Sequence, residues 1–261
     1  MARSLDTYDR IAIAEIVVYS FFLIGGVFLC FKHGLKRSSG WRFLVILALA
    51  RLIGSSMLLA TINDPSNVSL YVGWMTLNGV GFGPLILMLL GLVSRLFDSI
   101  NRNGREILKP LYQRGISLLM LLAMILLIVG GTNGDYTIVN GTPKITYPVE
   151  SRVGAGLMIA VLVLLVAETL LAVRYKGLVA DGERRILIAV LASLPFVIVR
   201  LAYTCVLILG GKSQSVWFYL GAGVIMEMMV VLICQAVGFT LQKVPPTTTQ
   251  DSETVQSSYK A

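Results

Sequence analysis

Residues 153–173 read VGAGLMIAVLVLLVAETLLAV, with Arg152 before them and Arg174 after. The stretch holds one charge, Glu168, in 21 residues. A helix crossing the hydrocarbon core of a bilayer needs about 20 predominantly apolar residues, whereas a buried helix of a soluble core needs fewer and keeps a polar face. This stretch is apolar all round, so it reads as a membrane span. Six more stretches read the same way, at 11–31, 43–62, 70–92, 115–132, 186–209 and 216–241. The sequence therefore predicts an all-α, polytopic bundle of seven transmembrane helices over residues 1–243. A Thr/Ser/Gln-rich tail follows at 244–261, after Pro245-Pro246, and it is too poor in apolar residues to fold.

Composition agrees. Of 261 residues, 56% are hydrophobic and 14% charged, and mean hydropathy is +0.80. An average soluble domain is about 25% charged. A soluble enzyme, a disordered chain and a secreted disulfide scaffold are all excluded. The net charge of +8 is no nucleic-acid signal, because the cations sit in loops between apolar spans. Cys30, Cys205 and Cys234 fall inside spans at no recognisable spacing, which predicts buried thiols and no disulfide. His33 is the single histidine and is read as a loop residue, so no zinc site or Ser-His dyad can be built, and no metal or other cofactor is predicted.

Basic residues set the orientation. The first, third and fifth loops and the tail carry fifteen Lys and Arg, and the opposite side carries five. Cytoplasmic loops are the basic ones, which predicts a cytoplasmic C-terminus and an N-terminus outside or in a lumen. The sequons at Asn67 and Asn140 then fall on the outer side. Gly34-Leu35 to Arg42 and Gly177-Leu178 to Arg184 are alike, which raises a possible 3+1+3 repeat with the fourth span as linker.

Charges inside the spans are the functional signal. Arg51 and Arg200 lie in the second and sixth spans, and Glu15, Glu168 and Glu227 in the first, fifth and seventh. Each costs about 2.5–3.5 kcal/mol at the bilayer centre on insertion scales, so such residues face a bundle interior and pair. Tyr19 follows Glu15 by four residues, Ser55 follows Arg51 by four, and Tyr203 follows Arg200 by three, so each shares a helix face with its charge. Counting depth along each helix predicts one polar cluster in the outer half: Glu15, Tyr19, Arg51, Asn78, Arg200, Tyr203 and Glu227. Glu168 lies nearer the cytoplasmic end, where Arg174 is in reach. The third span contains Asn78-Gly79-Val80-Gly81-Phe82-Gly83-Pro84 and the sixth contains Pro195, which mark either a broken helix at a site or a close-packing face through Gly79 and Gly83.

Three functions fit these residues. The cluster can bind or move a small amphipathic or lipophilic molecule, with Arg51 and Arg200 meeting its polar group and Glu227 balancing them. It can form an intramembrane cyclase or isomerase, with Glu15 or Glu227 as general acid. It can also be a brace in a structural membrane protein whose one partner is the lipid bilayer. Several activities are excluded. No span contains aspartate, so Asp-rich metal sites and aspartyl-protease pairs are missing. The seventh span has no lysine for a retinal Schiff base.

The motifs Gly40-Trp41 through Arg51-Leu52-Ile53-Gly54, Gly182-Glu183-Arg184-Arg185, and Leu194-Pro195-Phe196 through Arg200-Leu201 and Tyr203 carry a resemblance, completed by Met226-Glu227 and Val237-Gly238-Phe239-Thr240-Leu241. On them the chain resembles a family of fungal seven-helix membrane proteins known as a domain of unknown function. The resemblance covers nearly the whole chain except the tail. It implies a fungal source and an integral membrane protein, and transfers no catalytic residue.

Overall fold

A computed structural model describes residues 4–33, 40–65, 67–103, 107–139, 142–179, 182–210 and 215–241. The tail at 244–261, the sequon residue Asn140, and parts of both repeat signatures (34–39 and 180–181) lie outside the described residues. Seven helical segments are long and apolar enough to cross a membrane. They are built from α1 (Thr7–His33), α2 (Trp41–Ala60), α3 (Val68–Val80), α4 (Phe82–Asn103), α5 (Pro110–Thr132), α6 (Val149–Arg174), α7 (Arg184–Gly210), α8 (Val216–Phe218) and α9 (Met226–Thr240). The third span runs through α3 and α4. The seventh joins α8 to α9 through a π-helical stretch, Tyr219–Ile225. Apolar side chains such as Phe21, Ile24 and Phe31 on α1, Leu118 and Ile125 on α5, and Ile188 on α7 stand exposed on the rim. In lipid that rim is solvated by acyl chains rather than by water.

Six spans and the first half of the third form a closed ring. Helix α1 packs on α2, α2 on α3, α3 on α5, α5 on α6, α6 on α7, α7 on α9, and α9 on α1. Helix α4 leaves the ring and runs through its centre, touching α2, α5, α6, α7 and α9. In the most apolar window of the third span 89% of residues are buried, against 28–56% in the other six. The switch from ring to centre has a local cause. Pro84 has no N–H to give the carbonyl of Val80, so the helical ladder breaks between α3 and α4. Each sequence reading of this glycine string holds in part: the helix breaks at Gly81, and Gly83 packs closely on Met124, but a Cβ added at Gly79 meets nothing within 4 Å, so Gly79 forms no packing face with it.

Two features depart from the expected loops. The third span does not stop at residue 92 but runs to Asn103. Val93, Leu96, Phe97 and Ile100 are buried, and their helical spacing drives the extension. The connection between α5 and α6 is an antiparallel hairpin of β1 (Asp135–Val139) and β2 (Thr142–Thr146), with Asp135 opposite Thr146 and Val139 opposite Thr142. His33 is not in a loop. It ends α1, with Nε2 3.1 Å from the Gly238 carbonyl and its ring stacked on Trp41, while Lys32 Nζ donates to the Phe239 carbonyl at 2.6 Å. These contacts tie the end of α1 to the last turn of α9. Cys30, Cys205 and Cys234 form no disulfide.

The apolar interior falls into two cores. The larger includes Leu29, Leu44, Phe82, Leu89, Val197 and Val230, and the smaller includes Ile11, Leu58, Trp74, Tyr203, Tyr219 and Val224. Along α1, α2, the third span, α7 and the seventh span, Glu15, Arg51, Asn78, Arg200 and Glu227 each sit between members of the two. Along these spans a polar layer lies between a large core around α4 and a small one toward the other end, while on α7 the large core also continues past Arg200 through Ile208.

Candidate functional site

The centre of the bundle changes character where α4 enters it. On one side of Gly81 the third span is central and apolar. On the other it lies in the ring as α3, and side chains from the remaining spans must fill the middle. Arg51, Arg200 and Glu227 do so. Gly81 is the close approach that permits this, since an added Cβ would stand 3.1–3.3 Å from the Arg51 guanidinium. Arginine seals such a space well because its planar fork can meet a carboxylate through two N–H groups at once.

Glu227 is the hub. Its Oε1 accepts from Tyr19 OH at 2.8 Å and from Arg51 Nε at 2.6 Å. Its Oε2 accepts from Arg51 Nη2 and from Arg200 Nε at 3.3 Å. Asn78 bridges the two arginines: its side-chain oxygen accepts from Arg51 Nη1, and its backbone carbonyl accepts from Arg200 Nη2 at 2.9 Å. Arg200 Nη1 donates to Thr204 Oγ1 at 2.8 Å, and its guanidinium lies 5.2 Å from the Tyr203 ring centre. Glu15 completes the charge balance of two arginines and two glutamates. Its Oε2 accepts from Ser55 Oγ at 2.8 Å and more weakly from Tyr219 OH at 3.5 Å. Its Oε1 is buried without a hydrogen-bond partner, and the nearest cation, Arg51 Nη1, is 3.8 Å away.

The structure thus brings together all seven residues singled out from the sequence, and none is more than 9% exposed. Their roles differ. Tyr19, Arg51, Asn78, Arg200 and Glu227 form one hydrogen-bonded lock, and Glu15 stands beside it, 3.8 Å from Arg51. Tyr203 instead joins the smaller core, where Tyr8, Trp74, Tyr203 and Tyr219 make an aromatic collar. Ring centres in it are 5.9 Å apart for Tyr8–Trp74, 5.7 Å for Tyr8–Tyr219, 6.1 Å for Trp74–Tyr219 and 6.3 Å for Tyr203–Tyr219. Glu15, bonded to Tyr219, forms the floor of this collar. Tyr219, Thr204, Trp74 and Tyr8 were not singled out from the sequence. Thr204 was legible, lying four residues after Arg200 on one helical face. Tyr219 was less so, because it precedes Glu227 by eight residues, which turns the two about 80° apart on an α-helix at ~100° per residue. The π-helical stretch between them takes up the extra residue, so both turn inward.

Glu168 does not reach Arg174 as the sequence suggested. It is buried in α6, and both its carboxylate oxygens lack a hydrogen-bond partner. Arg174 is exposed at the helix end. Among the described residues no three His, Cys, Asp or Glu side chains converge as metal ligands.

The family model described as "Domain of unknown function (DUF7702)" matches residues 5–244, nearly the whole chain, and the protein belongs to that family. No curated protein matches it.

Proposed function

We propose that this member of the family binds a small amphipathic molecule in the half of the bundle that holds the polar layer, with Glu15 as its polar contact and the Tyr8–Trp74–Tyr203–Tyr219 collar around its apolar part. One observation carries the reading: Glu15 Oε1 is a buried acceptor with no donor, at the floor of an aromatic collar. A buried acceptor left unmade costs about 1–3 kcal/mol, and a ligand's hydroxyl, amide or ammonium hydrogen would remove that cost. Arg51 and Arg200 are occupied by Glu227 and Asn78, so they favour a framework role over capture of an anionic ligand. The ligand's head is then a donor rather than an anion.

Orientation belongs to the same proposal. The excess of Lys and Arg on the first, third and fifth loops and the tail supports a cytoplasmic C-terminus and an N-terminus outside or in a lumen. The collar would then open to the outer side. A reporter fused after Ala261 should be inaccessible to reagents added to sealed cells, and labelling from outside would reverse the assignment. A fungal source is inferred from the motif resemblance alone.

The test is native mass spectrometry of the purified chain. Wild-type protein should retain a small amphipathic molecule that Glu15→Gln releases, with folding of the variant checked by its melting temperature. If the wild type carries bulk lipid alone, the layer is a brace and the ligand reading fails. The geometry also ranks the enzyme alternative. A general acid must hold a transferable proton. Both Glu227 oxygens accept from arginine, so Glu15 is the better candidate. Conversion of a prenylated or polyketide metabolite that is lost in Glu15→Gln would favour a cyclase or isomerase over simple binding.

A further inference from the structure

A cavity of about 30 Å³ lies between α3, α5, α6 and α7, beside the polar layer. Four hydroxyl residues line it: Thr76, Tyr147, Ser151 and Thr204. Thr204 is engaged, since its Oγ1 accepts from Arg200 Nη1 at 2.8 Å and donates to the Arg200 carbonyl at 3.2 Å. Thr76 and Ser151 are not. Thr76 Oγ1 and Ser151 Oγ are buried with no hydrogen-bond partner, and Ser151 is only 1% exposed.

Elsewhere in the bundle serine and threonine turn back onto their own helix. Ser20, Ser56, Ser117, Thr169 and Ser193 each donate to the carbonyl four residues earlier at 2.7–2.9 Å. Thr76 could do likewise toward Val72 and does not. Ser151 is the third residue of α6 and has no helical carbonyl behind it. Helix α5 presents glycine to both hydroxyls: a Cβ on Gly130 would lie 2.2 Å from Ser151 Oγ, and one on Gly131 2.9 Å from Thr76 Oγ1. Two unpartnered hydroxyls thus line a space next to a third that reaches Arg200.

We propose that this cavity is a binding site for a small hydroxylic molecule, either about two waters or the hydroxyl end of a short alcohol. The occupant bonds Ser151 and Thr76 and extends the polar layer through Thr204. A water needs ~10–15 Å³ of such volume and two to four polar partners, and the cavity supplies both. A hydroxyl donates and accepts, which suits partners that are hydroxyls themselves. A carboxylate or a bare cation would find no matching charge in the lining. The site stands apart from the ligand reading for Glu15, and neither requires the other.

The test is a structure of the full chain in lipid nanodiscs at a resolution that shows waters, with and without ethanol, together with melting temperatures of variants. The expected density is an oxygen within hydrogen-bond distance of Ser151 and Thr76. Density unchanged by ethanol identifies water, and density that lengthens toward Leu127 identifies the alcohol. Ser151→Ala and Thr76→Val should each lower the melting temperature by about 2–4 °C, and together by less than the sum, because they hold the same occupant. Gly79→Ala lines the cavity with a methyl that meets nothing within 4 Å. It should lower the melting temperature by displacing the occupant. An empty cavity, with melting temperatures unchanged or raised in the three variants, would show a dry void and overturn the proposal.

Discussion

Glu227 and Glu168 are buried glutamates in opposite halves of one bundle, and their surroundings differ completely. Glu227 accepts hydrogen bonds from Tyr19, Arg51 and Arg200 on both oxygens. Glu168 accepts none. The difference follows from where the third span runs. In the half that holds Glu227 that span lies in the ring as α3, the centre is open to side chains, and converging spans bring cations and a phenol. In the other half α4 occupies the centre with Leu85, Ile86, Met88 and Leu89, all fully buried. Glu168 lies there, about 9 Å of helix from the end of α6 at ~1.5 Å per residue. Burial imposes a cost on both carboxylates. Only the half whose centre is made of side chains can offset it.

The sharpest way to break this contrast is to remove the hub. Glu227→Gln leaves Arg51 and Arg200 without their shared anion, and breaking a buried pair costs about 3–5 kcal/mol. Folded protein measured by size-exclusion of a fluorescent fusion should nearly disappear. In an Arg200→Gln background the same change should cost less than it does alone, because one stranded cation is already gone. Additive losses would mean that Arg200 is not held by Glu227.

Gly81 tests why the layer can form where it does. An alanine methyl there would stand 3.1–3.3 Å from a guanidinium that is bonded on all three nitrogens. Gly81→Ala should lower the melting temperature by about 2–4 °C, as a loss near 1 kcal/mol does in a chain of this size. Gly156 in α6 is exposed, and an added methyl meets nothing within 4 Å. Gly156→Ala should be neutral or stabilising through helix propensity alone. Equal losses at both sites would remove Gly81 from the account of the layer.

Glu168 supplies the opposite sign. An unpartnered buried carboxyl stabilises nothing it touches, so Glu168→Leu should raise the melting temperature by about 2–4 °C. A fall would reveal a partner for Glu168 and erase the contrast with Glu227.

Much of this was legible in the sequence. The spans announced themselves because lipid demands long apolar helices with nothing left unpaired. The cluster was legible because charge in a span must find charge, and counting along seven helices gives depth. What could not be read was which span occupies the centre, since α4 and α6 are both apolar runs and only packing tells them apart. The collar escaped for a related reason: Tyr8, Trp74 and Tyr219 sit on three spans at no shared spacing. Two signals were present but unused. Val93, Leu96, Phe97 and Ile100 carry a helical period beyond residue 92, and Asn140-Gly141 between two short runs is a hairpin turn signal.

The smallest effect is expected where the molecule meets water. Arg95, near the end of α4, pairs with Glu183 before α7, with Nε 3.2 Å from Oε1 and the two side chains 17% and 16% exposed. This pair joins the central helix to the ring much as Arg200–Glu227 joins α7 to α9. It differs in having solvent nearby to receive either partner. A pair with some solvent access is worth less than a sealed one, because water can solvate whichever charge is left. Glu183→Gln should therefore shift the melting temperature by under about 2 °C, and by less again at high salt, where screening shortens the reach of the pair. A loss as large as that of Glu227→Gln would mean that the α4 end is anchored through this contact. The polar layer would then not be the one place where charge holds the bundle together.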